Sequence, residues 1–218
     1  MKLYFTRHGK TQWNEEKRFQ GMLGDSPLLP ESFAAIEELG KTLADVPFEK
    51  IYTSSLKRAY LTAEGINHHL KHPAEIVRTD DLRELGLGSL EGQLIPEMIQ
   101  QHPHDLENLR HHLEKYDPTP FGGEKIEDML ARICKLVEQA VAQAESGPLL
   151  FVGHGAALTA AIQYLTGKPL AKLREQGGLF NNSLTILETD HIEPPYKMLK
   201  WNDISFLEKI GQKPDPLL

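Results

Sequence analysis

The chain has 218 residues, a hydrophobic fraction of 40%, a formal net charge of −7 and a pI of about 5.8. This acidic balance argues against broad electrostatic binding to nucleic acid or to an anionic membrane, so any anion site must be local. The single cysteine, Cys134, excludes an intrachain disulfide framework, and its apolar neighbours predict a buried thiol in a reducing compartment.

No apolar run in the sequence approaches the roughly 20 residues that cross a bilayer. The first residues also lack the basic region and long apolar stretch of a signal peptide. We therefore expect a cytoplasmic protein with neither a nucleic-acid nor a membrane partner. The length suits a single domain, predicted over residues 1–218, and nothing in the sequence specifies the oligomeric state.

Strands and helices alternate in the first third of the chain. Residues 2–6 predict a short strand that ends at Arg7 and opens into a polar loop with several glycines. A helical pattern then begins at Pro30 and continues to about Ala44. The predicted apolar face of this helix consists of Phe33, Ile36, Leu39 and Leu43.

Two further strands are predicted at residues 49–53 and 75–78, with a helix to about Leu70 between them. We expect Ser54 or Ser55 to cap that helix, because a serine hydroxyl accepts hydrogen bonds from first-turn N–H groups. This alternation is typical of an α/β fold in which helices cover both faces of a mostly parallel sheet.

The middle of the chain interrupts this pattern. Residues 80–123 are irregular, include a helical stretch at about 95–116 and end in a cluster of proline and glycine. We interpret part of this stretch, at about residues 93–122, as a small helical cap insertion. A long amphipathic helix is predicted after it, at residues 124–145.

The last third returns to the alternation. Residues 149–153, LLFVG, form a continuous apolar run that is typical of a central strand buried on both faces. Residues 155–165 predict a buried helix, and residues 183–188 and 196–202 predict later strands. We expect the tail, residues 209–218, to be loose.

Several polar residues lie at the carboxyl ends of the predicted strands, where ligands bind in open α/β sheets. They are Arg7 with His8, Thr53 with Ser54, and Gly153 with His154. At the first of these ends, an arginine fork can hold phosphate oxygens and a neutral imidazole nitrogen can attack phosphorus. Gly9 is expected to let backbone amides approach the same oxygens. Arg-His-Gly alone is a weak signal, because a surface loop can also contain it.

Further motifs follow this tripeptide in a fixed order along the chain. The set is RHGKTQWN, RFQGMLGDSPL, SSLKRAYLTAEGI, LRELGLGSLEG, FGGE and FVGHGAALTA. Together the motifs resemble the histidine phosphatase superfamily, the phosphoglycerate mutase-like proteins, over essentially the whole chain. The resemblance implies a three-layer α/β/α sandwich with its site at the strand carboxyl ends. It also implies a phosphomonoesterase of the histidine acid phosphatase type.

By this resemblance, His8 is the residue that becomes phosphorylated, and Arg7, Arg58 and His154 line the phosphate pocket around it. Glu84 is implied as the proton donor to the leaving oxygen. A carboxyl group can act in this way near neutral pH only if burial or a neighbouring anion favours its protonated form. Other carboxylates stay open as alternatives for the same role. They are Asp80, Asp81 and Glu91.

The resemblance also assigns residues that bind substrate without reacting. Asn14 and Gln20 match family positions that contact phosphate or substrate, and Gly9, Gly21 and Gly155 complete the predicted binding set. No metal or other cofactor is expected, because the adjacent histidine pairs cannot easily face one ion and the HEXXH motif is absent. The implied reaction is phosphoryl transfer to His8, followed by attack of water on phosphohistidine.

Two other functions stay open. A cofactor-dependent phosphoglycerate mutase needs a larger and more basic cap, whereas residues 84–122 are few and acidic, with Arg110 as a rare arginine, so hydrolysis is favoured. A non-catalytic phosphate-binding regulatory domain would keep the fold without turnover, and the intact histidines and arginines argue against it. The expected partner is a small-molecule phosphomonoester whose alcohol is not identified. The acidic cap predicts weak binding of highly anionic substrates.

Overall fold

The computed structural model of the chain describes residues 1–145 and 147–210. Residues 211–218, which make up most of the tail predicted to be loose, lie outside the described residues. Within the described part, no helix is long and apolar enough to cross a membrane.

The centre of the fold is a mixed sheet whose described part has six strands. Their bounds are β1 (Lys2–Arg7), β2 (Lys50–Ser54), β3 (Glu75–Thr79), β4 (Leu149–Gly153), β5 (Leu184–Glu188) and β6 (Lys197–Asp203). They lie in the order β3-β2-β4-β1-β5-β6, in which the first four are mutually parallel and the last two are antiparallel to their neighbours. The predicted α/β fold with a mostly parallel sheet is confirmed, and all six predicted strands are present.

Helices cover both faces of the sheet. Their bounds are α1 (Gln12–Glu15), α2 (Pro30–Thr42), α3 (Lys57–His68), α4 (Ile95–Gln101), α5 (Pro103–His111), α6 (Ile126–Gln143) and α7 (Gly155–Leu165). Buried residues of α2 and α3 share one apolar cluster with Leu150 and Val152 of β4, whereas those of α6 and α7 share the other with Phe151. Because successive strand residues point to opposite faces, β4 is buried on both sides between two helical layers.

The predicted helix at about 95–116 is two helices in the structure, because the chain breaks at His102 before Pro103. A proline lacks an N–H and fits only the first turn of a helix, so Pro103 begins α5 and cannot continue α4. These helices lie between β3 and α6, where the cap was predicted.

Two details of the sequence prediction are wrong. Phe33 is 53% exposed, because it lies at the edge of the apolar face of α2, about 60° around the helix from Ile36. The predicted serine cap of α3 is absent. The N-cap residue is Leu56, whose side chain makes no capping hydrogen bond. Instead, the carboxylate of Asp25, from a distant loop, accepts the N–H groups of Lys57 and Arg58.

Candidate active site

The candidate site forms where β1 and β4 end side by side. Arg7 pairs with Gly153 in the parallel ladder, and the next residue, His8, donates its backbone N–H to the Gly153 oxygen at 3.0 Å. His154 follows Gly153 directly, so the two imidazoles lie on neighbouring strand ends, with ring centroids 5.2 Å apart. Arg58 comes from the first turn of α3, which follows the adjacent strand β2. The parallel sheet thus brings together two histidines and two arginines that are distant in sequence.

The two ring contacts of His8 fix its tautomer. Nδ1 lies 2.7 Å from the carbonyl oxygen of Gly9, which can only accept a hydrogen bond, so Nδ1 carries the proton. Nε2 accepts a hydrogen bond from the Nε–H of Arg58 at 3.2 Å. The imidazole is therefore neutral, and the lone pair on Nε2 is the nucleophilic position.

Burial and neighbouring cations keep both imidazoles neutral. Burial first, then Arg58 and Arg7, hold the pKa of His8 well below its ordinary value, while the Gly9 hydrogen bond opposes this shift. The pKa of His154 is also lowered well below the usual range, again first by burial and then by Arg58. Within the described part of the chain, neither buried ring nitrogen of His154 has a hydrogen-bond partner. The neutral ring of His154 therefore keeps one donor and one acceptor that no described residue uses.

These lowered pKa values predict a loss of stability in acid. In the unfolded chain a histidine binds a proton below about pH 6.5, whereas buried His8 and His154 resist protonation, so the unfolded state binds more protons. The contribution is fully present above about pH 6.5 and is lost as the pH falls, by about 1.4 kcal/mol per pH unit for each such histidine. Urea unfolding between about pH 6 and pH 5 measures the slope. We expect His154→Gln to reduce the slope by about 1.4 kcal/mol per pH unit, because it removes one of these two histidines.

A matched substitution controls this experiment. His72 is exposed, and His72→Gln is expected to keep the wild-type slope. An unchanged slope in His154→Gln would contradict a histidine that is buried in its neutral form.

Arg7 is held close to the first turn of α7. Its Nη1 donates to the carbonyl oxygen of Leu179 at 2.8 Å, and the residue is 5% exposed. A Cβ on Gly155 would lie 3.1 Å from Cζ of Arg7, so the absence of a side chain at this position leaves room for the guanidinium. The local role of Gly155 is thus to let Arg7 cross the N-terminus of the helix.

Arg58 is anchored by the loop that precedes α2. Its Nη1 donates to the Gly24 oxygen at 2.5 Å and to Asp25 Oδ1 at 3.1 Å, and its Nη2 donates to the Gly21 oxygen at 3.1 Å. Asp25 also accepts the N–H of Lys57 at 2.6 Å, and so fixes both the start of α3 and the guanidinium. Burial lowers the pKa of Arg58, and the negative charge of Asp25 opposes this effect. The result is a rigid cation whose Nε–H points at His8.

Glu84 reaches the site from the loop after β3 and is 6% exposed. Its Oε1 accepts the N–H groups of Leu85 at 2.9 Å and Ala157 at 2.7 Å, and its Oε2 accepts that of Ala156 at 2.9 Å. Two of these donors belong to the first turn of α7, whose positive end stabilises a carboxylate. The side chain is therefore held in one position next to the strand ends.

The other acidic candidates lie elsewhere. Asp80 is exposed and forms an ion pair with Arg83 at 2.9 Å, and Asp81 is also exposed. Glu91 Oε2 accepts the N–H of Leu23 at 2.9 Å and holds the loop that anchors Arg58. Glu84 is the member of this set that lines the cavity beside His8.

The loop that carries Glu84 is clamped by Arg132 of α6. Arg132 donates to the carbonyl oxygens of Arg83 at 2.8 Å and Glu84 at 3.0 Å, and forms an ion pair with Glu124 at 2.8 Å. Glu124 in turn accepts the N–H of Gly86 at 3.1 Å. This pair fixes the backbone of Glu84 without touching the cavity.

A partly open cavity lies at His8. Six of the predicted site residues line it, namely Arg7, His8, Asn14, Gln20, Glu84 and Gly155. Arg58 and His154 lie beside His8 instead of forming the cavity wall. The structure therefore brings together the predicted catalytic set, which the sequence scatters over about 150 positions.

Two of the predicted glycines serve other contacts. The Gly9 N–H donates to Thr62 Oγ1 at 3.1 Å, and a Cβ on Gly9 would lie 3.0 Å from Cβ of Ser32 in α2. These contacts give Gly9 a role in packing, and its predicted part in letting backbone amides approach the phosphate stays a prediction. A Cβ on Gly21 would lie 2.4 Å from Glu91 Oε1, so Gly21 makes room for the carboxylate that holds its own loop.

Hydrogen bonds to neighbouring residues fix the two predicted amide side chains, Asn14 and Gln20. Asn14 closes a capping box with Thr11 at the start of α1. When the amide oxygen of Gln20 faces Arg58, it lies 3.1 Å from Nε and 3.0 Å from Nη1 and accepts hydrogen bonds from them. The amide nitrogen of Gln20 then donates to the hydroxyl groups of Thr11 and Ser26. Both side chains thus present fixed polar groups to the cavity.

Three arginines that the sequence did not mark as site residues also line these cavities. Arg18 lines the cavity at His8, and Arg110 and Arg174 line an adjoining cavity that also contacts Glu84. No local pattern marks Arg174, which lies in an irregular segment after α7. Among the described residues, no group of three or more histidine, cysteine, aspartate or glutamate side chains is placed to hold a metal ion.

The fold is thus a mostly parallel α/β sheet whose carboxyl edge gathers two histidines and two arginines, an arrangement that suits the binding of a phosphate ester. A family model described as the histidine phosphatase superfamily, branch 1, matches residues 3–204. The chain belongs to this branch of the superfamily.

Relatives and a solved structure match nearly the whole chain. A metal-independent phosphoserine phosphatase from Arabidopsis thaliana is 30% identical over 96% of this chain and 84% of its own length. A protein described as a probable phosphoglycerate mutase, GpmB, from Klebsiella pneumoniae is 30% identical over 95% of each chain. The structure of Bacillus stearothermophilus YhfR is 32% identical and covers 94% of this chain and 98% of its own, with a TM-score of 0.85. The chain is thus similar both to phosphatases and to mutase-like proteins.

Proposed function

We propose that the protein hydrolyses small-molecule phosphomonoesters through a phosphohistidine intermediate on His8, without a metal ion. The single observation that carries this proposal is the lone pair on Nε2 of neutral His8, which faces a buried arginine at the edge of a polar cavity. A neutral imidazole is a nucleophile, and fixed guanidinium groups stabilise the negative charge that develops on a transferring phosphoryl group.

In the first step, Nε2 of His8 attacks phosphorus. The P–N bond forms, the bond from phosphorus to the alcohol oxygen breaks, and Glu84 gives its proton to that oxygen. The substrate phosphate is itself an anion beside Glu84, and such a neighbour favours the protonated carboxyl. The ring gains positive charge when Nε2 is bonded to phosphorus, and the hydrogen bond from Nδ1–H to Gly9 disperses this charge. Arg7, Arg58 and His154 hold the equatorial oxygens.

In the second step, water attacks phosphorus from the side that the alcohol has left. Glu84, now a carboxylate, accepts a proton from this water, the P–N bond breaks, and inorganic phosphate leaves. His8 regains its neutral form with the proton on Nδ1. The catalytic groups therefore return to their starting states after one turnover.

The proposed function is tested by release of inorganic phosphate from p-nitrophenyl phosphate in buffer with EDTA. We expect turnover by the wild-type chain and by His72→Ala, in which an exposed histidine is removed, and none above background by His8→Ala. Absence of phosphate release by the wild-type chain, over a panel of small monoesters, would overturn the proposal in favour of a non-catalytic binding domain.

A phosphoglycerate mutase is the second candidate, because GpmB is among the relatives. Supplying 3-phosphoglycerate with a trace of 2,3-bisphosphoglycerate separates the two reactions. A hydrolase releases phosphate, whereas a mutase isomerises the substrate and leaves little free phosphate. We favour hydrolysis, since α4 and α5 form a short cap segment. Our proposal further includes a single domain with its cap insertion at about residues 93–122, and a cytoplasmic location, which the buried free thiol of Cys134 supports.

A further inference from the structure

Arg132 of α6 uses every donor of its guanidinium on the protein itself. Nη1 donates to the carbonyl oxygens of Asp81 at 2.7 Å and Arg83 at 2.8 Å, and Nη2 donates to that of Glu84 at 3.0 Å. Nε and Nη2 also donate to the two carboxylate oxygens of Glu124, at 2.8 Å and 2.9 Å. A guanidinium has five N–H groups, so these five hydrogen bonds leave none for a substrate.

Glu124 completes this frame around the loop that carries Glu84. Its Oε2 accepts the N–H of Gly86 at 3.1 Å, and its own N–H donates to the Gly86 oxygen at 2.7 Å. The side chains of Arg132 and Glu124 are 16% and 14% exposed, and a shielded bidentate pair of this kind holds one geometry. Neither residue lines the cavity at His8 or the adjoining one. The peptides on both sides of Glu84 are thus fixed by two residues outside the cavities.

The proposed reaction requires Glu84 to change its charge in every turnover. Oε1 of Glu84 accepts the N–H groups of Leu85 and Ala157, whereas among the described residues Oε2 accepts only that of Ala156. A carboxylate oxygen has two lone-pair sites, so Oε2 is the oxygen with room for a proton. The three N–H groups favour the ionised form, and they hold the group less strongly once it is protonated. The carbonyl groups that Arg132 binds do not titrate, so this frame holds the peptide equally in both states.

We propose that Arg132 and Glu124 are positioning residues for proton transfer, and that they hold the peptide of Glu84 so that Oε2 can deliver its proton to the leaving oxygen. This inference rests on the proposed function and on the role of Glu84 in it. A displacement of about 1 Å, caused by a change far from the chemistry, can cost on the order of 10²-fold in rate. Because neither side chain contacts the substrate, their loss should act on kcat and leave KM nearly unchanged.

Two aryl phosphates of similar shape test this role. The leaving group of p-nitrophenyl phosphate departs without a proton, whereas the more basic phenolate of phenyl phosphate gains more from one. We expect Arg132→Met to lower kcat about tenfold or more for phenyl phosphate and less than about threefold for p-nitrophenyl phosphate, with KM within about twofold of wild type. In a Glu84→Gln background, Arg132→Met should add no further leaving-group-dependent loss, because no proton is left to position.

Arg83→Met is the matched control, because Arg83 lies in the same loop and its side chain contacts Asp80 at 2.9 Å and Ser55 at 2.8 Å instead. This variant should keep the wild-type ratio of the two rates. Arg132→Lys separates position from charge, since a lysine keeps the positive charge but cannot replace the five-donor fork. We expect its loss to be close to that of Arg132→Met.

The ratio of the two rates also separates positioning from folding. A smaller folded fraction lowers both rates equally and leaves their ratio unchanged, so a partly unfolded variant does not imitate the expected result. Glu124→Gln is a milder second variant, because it keeps an acceptor for the N–H of Gly86 and weakens only the pair with Arg132. It should give a smaller loss with the same dependence on the leaving group.

The outcomes distinguish this inference from the proposed function. If the wild type hydrolyses both esters, but Arg132→Met and Glu124→Gln lower the two rates equally or Arg132→Lys keeps the wild-type ratio, the positioning role is wrong and the phosphatase stands. A further change of the ratio by Arg132→Met in the Glu84→Gln background would also contradict action through Glu84. If the wild type hydrolyses neither ester nor any other monoester, the proposed function itself fails, and the positioning role fails with it.

Discussion

We expect His8→Ala to lower kcat for every phosphomonoester substrate by on the order of 10⁴-fold or more, because the reaction then has no nucleophile. The proton of the His8 ring lies on Nδ1, which donates to the Gly9 oxygen, so the lone pair lies on Nε2. Arg58 donates to Nε2 and fixes its direction. Initial rates with a saturating substrate measure the effect. Retention of more than about a tenth of the wild-type rate would exclude direct attack by His8.

Loss of activity in this variant must be separated from loss of structure. His8 lies in a buried cluster, so its removal frees the Nε–H of Arg58. Circular dichroism and thermal unfolding should report a folded chain. His8→Asn, which keeps a polar side chain beside Arg58, gives a second nucleophile-free variant with less disturbance of the arginine. Both variants should be equally inactive if the imidazole itself accepts phosphorus.

The second large effect is expected for Glu84→Gln. A general acid contributes roughly 10²- to 10⁴-fold, and it matters most when the departing alcohol is a poor leaving group. We therefore expect a loss in this range for an alkyl phosphate and a much smaller loss for p-nitrophenyl phosphate, whose leaving group departs without a proton. The comparison of the two substrates is the measurement. An equal loss on both would mean that Glu84 acts as a fixed charge and not as a proton donor.

Asp81→Asn is the control for this experiment, because Asp81 is an exposed neighbour on the same loop and was an alternative for the same role. It should leave both rates close to the wild type. A leaving-group-dependent loss in Asp81→Asn would transfer the role of proton donor away from Glu84.

Much of the site could be predicted because it depends on strand ends. A parallel sheet places the carboxyl ends of its strands along one edge, so Arg7 with His8 and Gly153 with His154 were expected at the same edge. The pairing of β1 with β4 makes them direct neighbours. The helix at α7 was predicted with its bounds unchanged, since a run of small apolar residues begins directly after His154.

Features that depend on distant loops could not be predicted. Asp25 caps α3 from 32 residues away, and this contact makes a local serine cap unnecessary. The close packing of Gly9 against Ser32 of α2 is another such contact, because no local pattern around Gly9 indicates which helix will cover it. The cavity that Arg174 lines is formed by five separate parts of the chain, and no local pattern of residues encodes this assembly.

The central claim is that phosphorus becomes bonded to Nε2 of His8. Rapid quenching of the wild-type chain with a ³²P-labelled monoester tests it most directly, since a phosphoramidate is stable in base and labile in acid. We expect base-stable, acid-labile label, up to about one per chain, that maps to His8, and phosphorus-31 NMR should assign it to Nε2. Acid-stable label on another residue, or phosphate release with no labelled protein at any quench time, would contradict it.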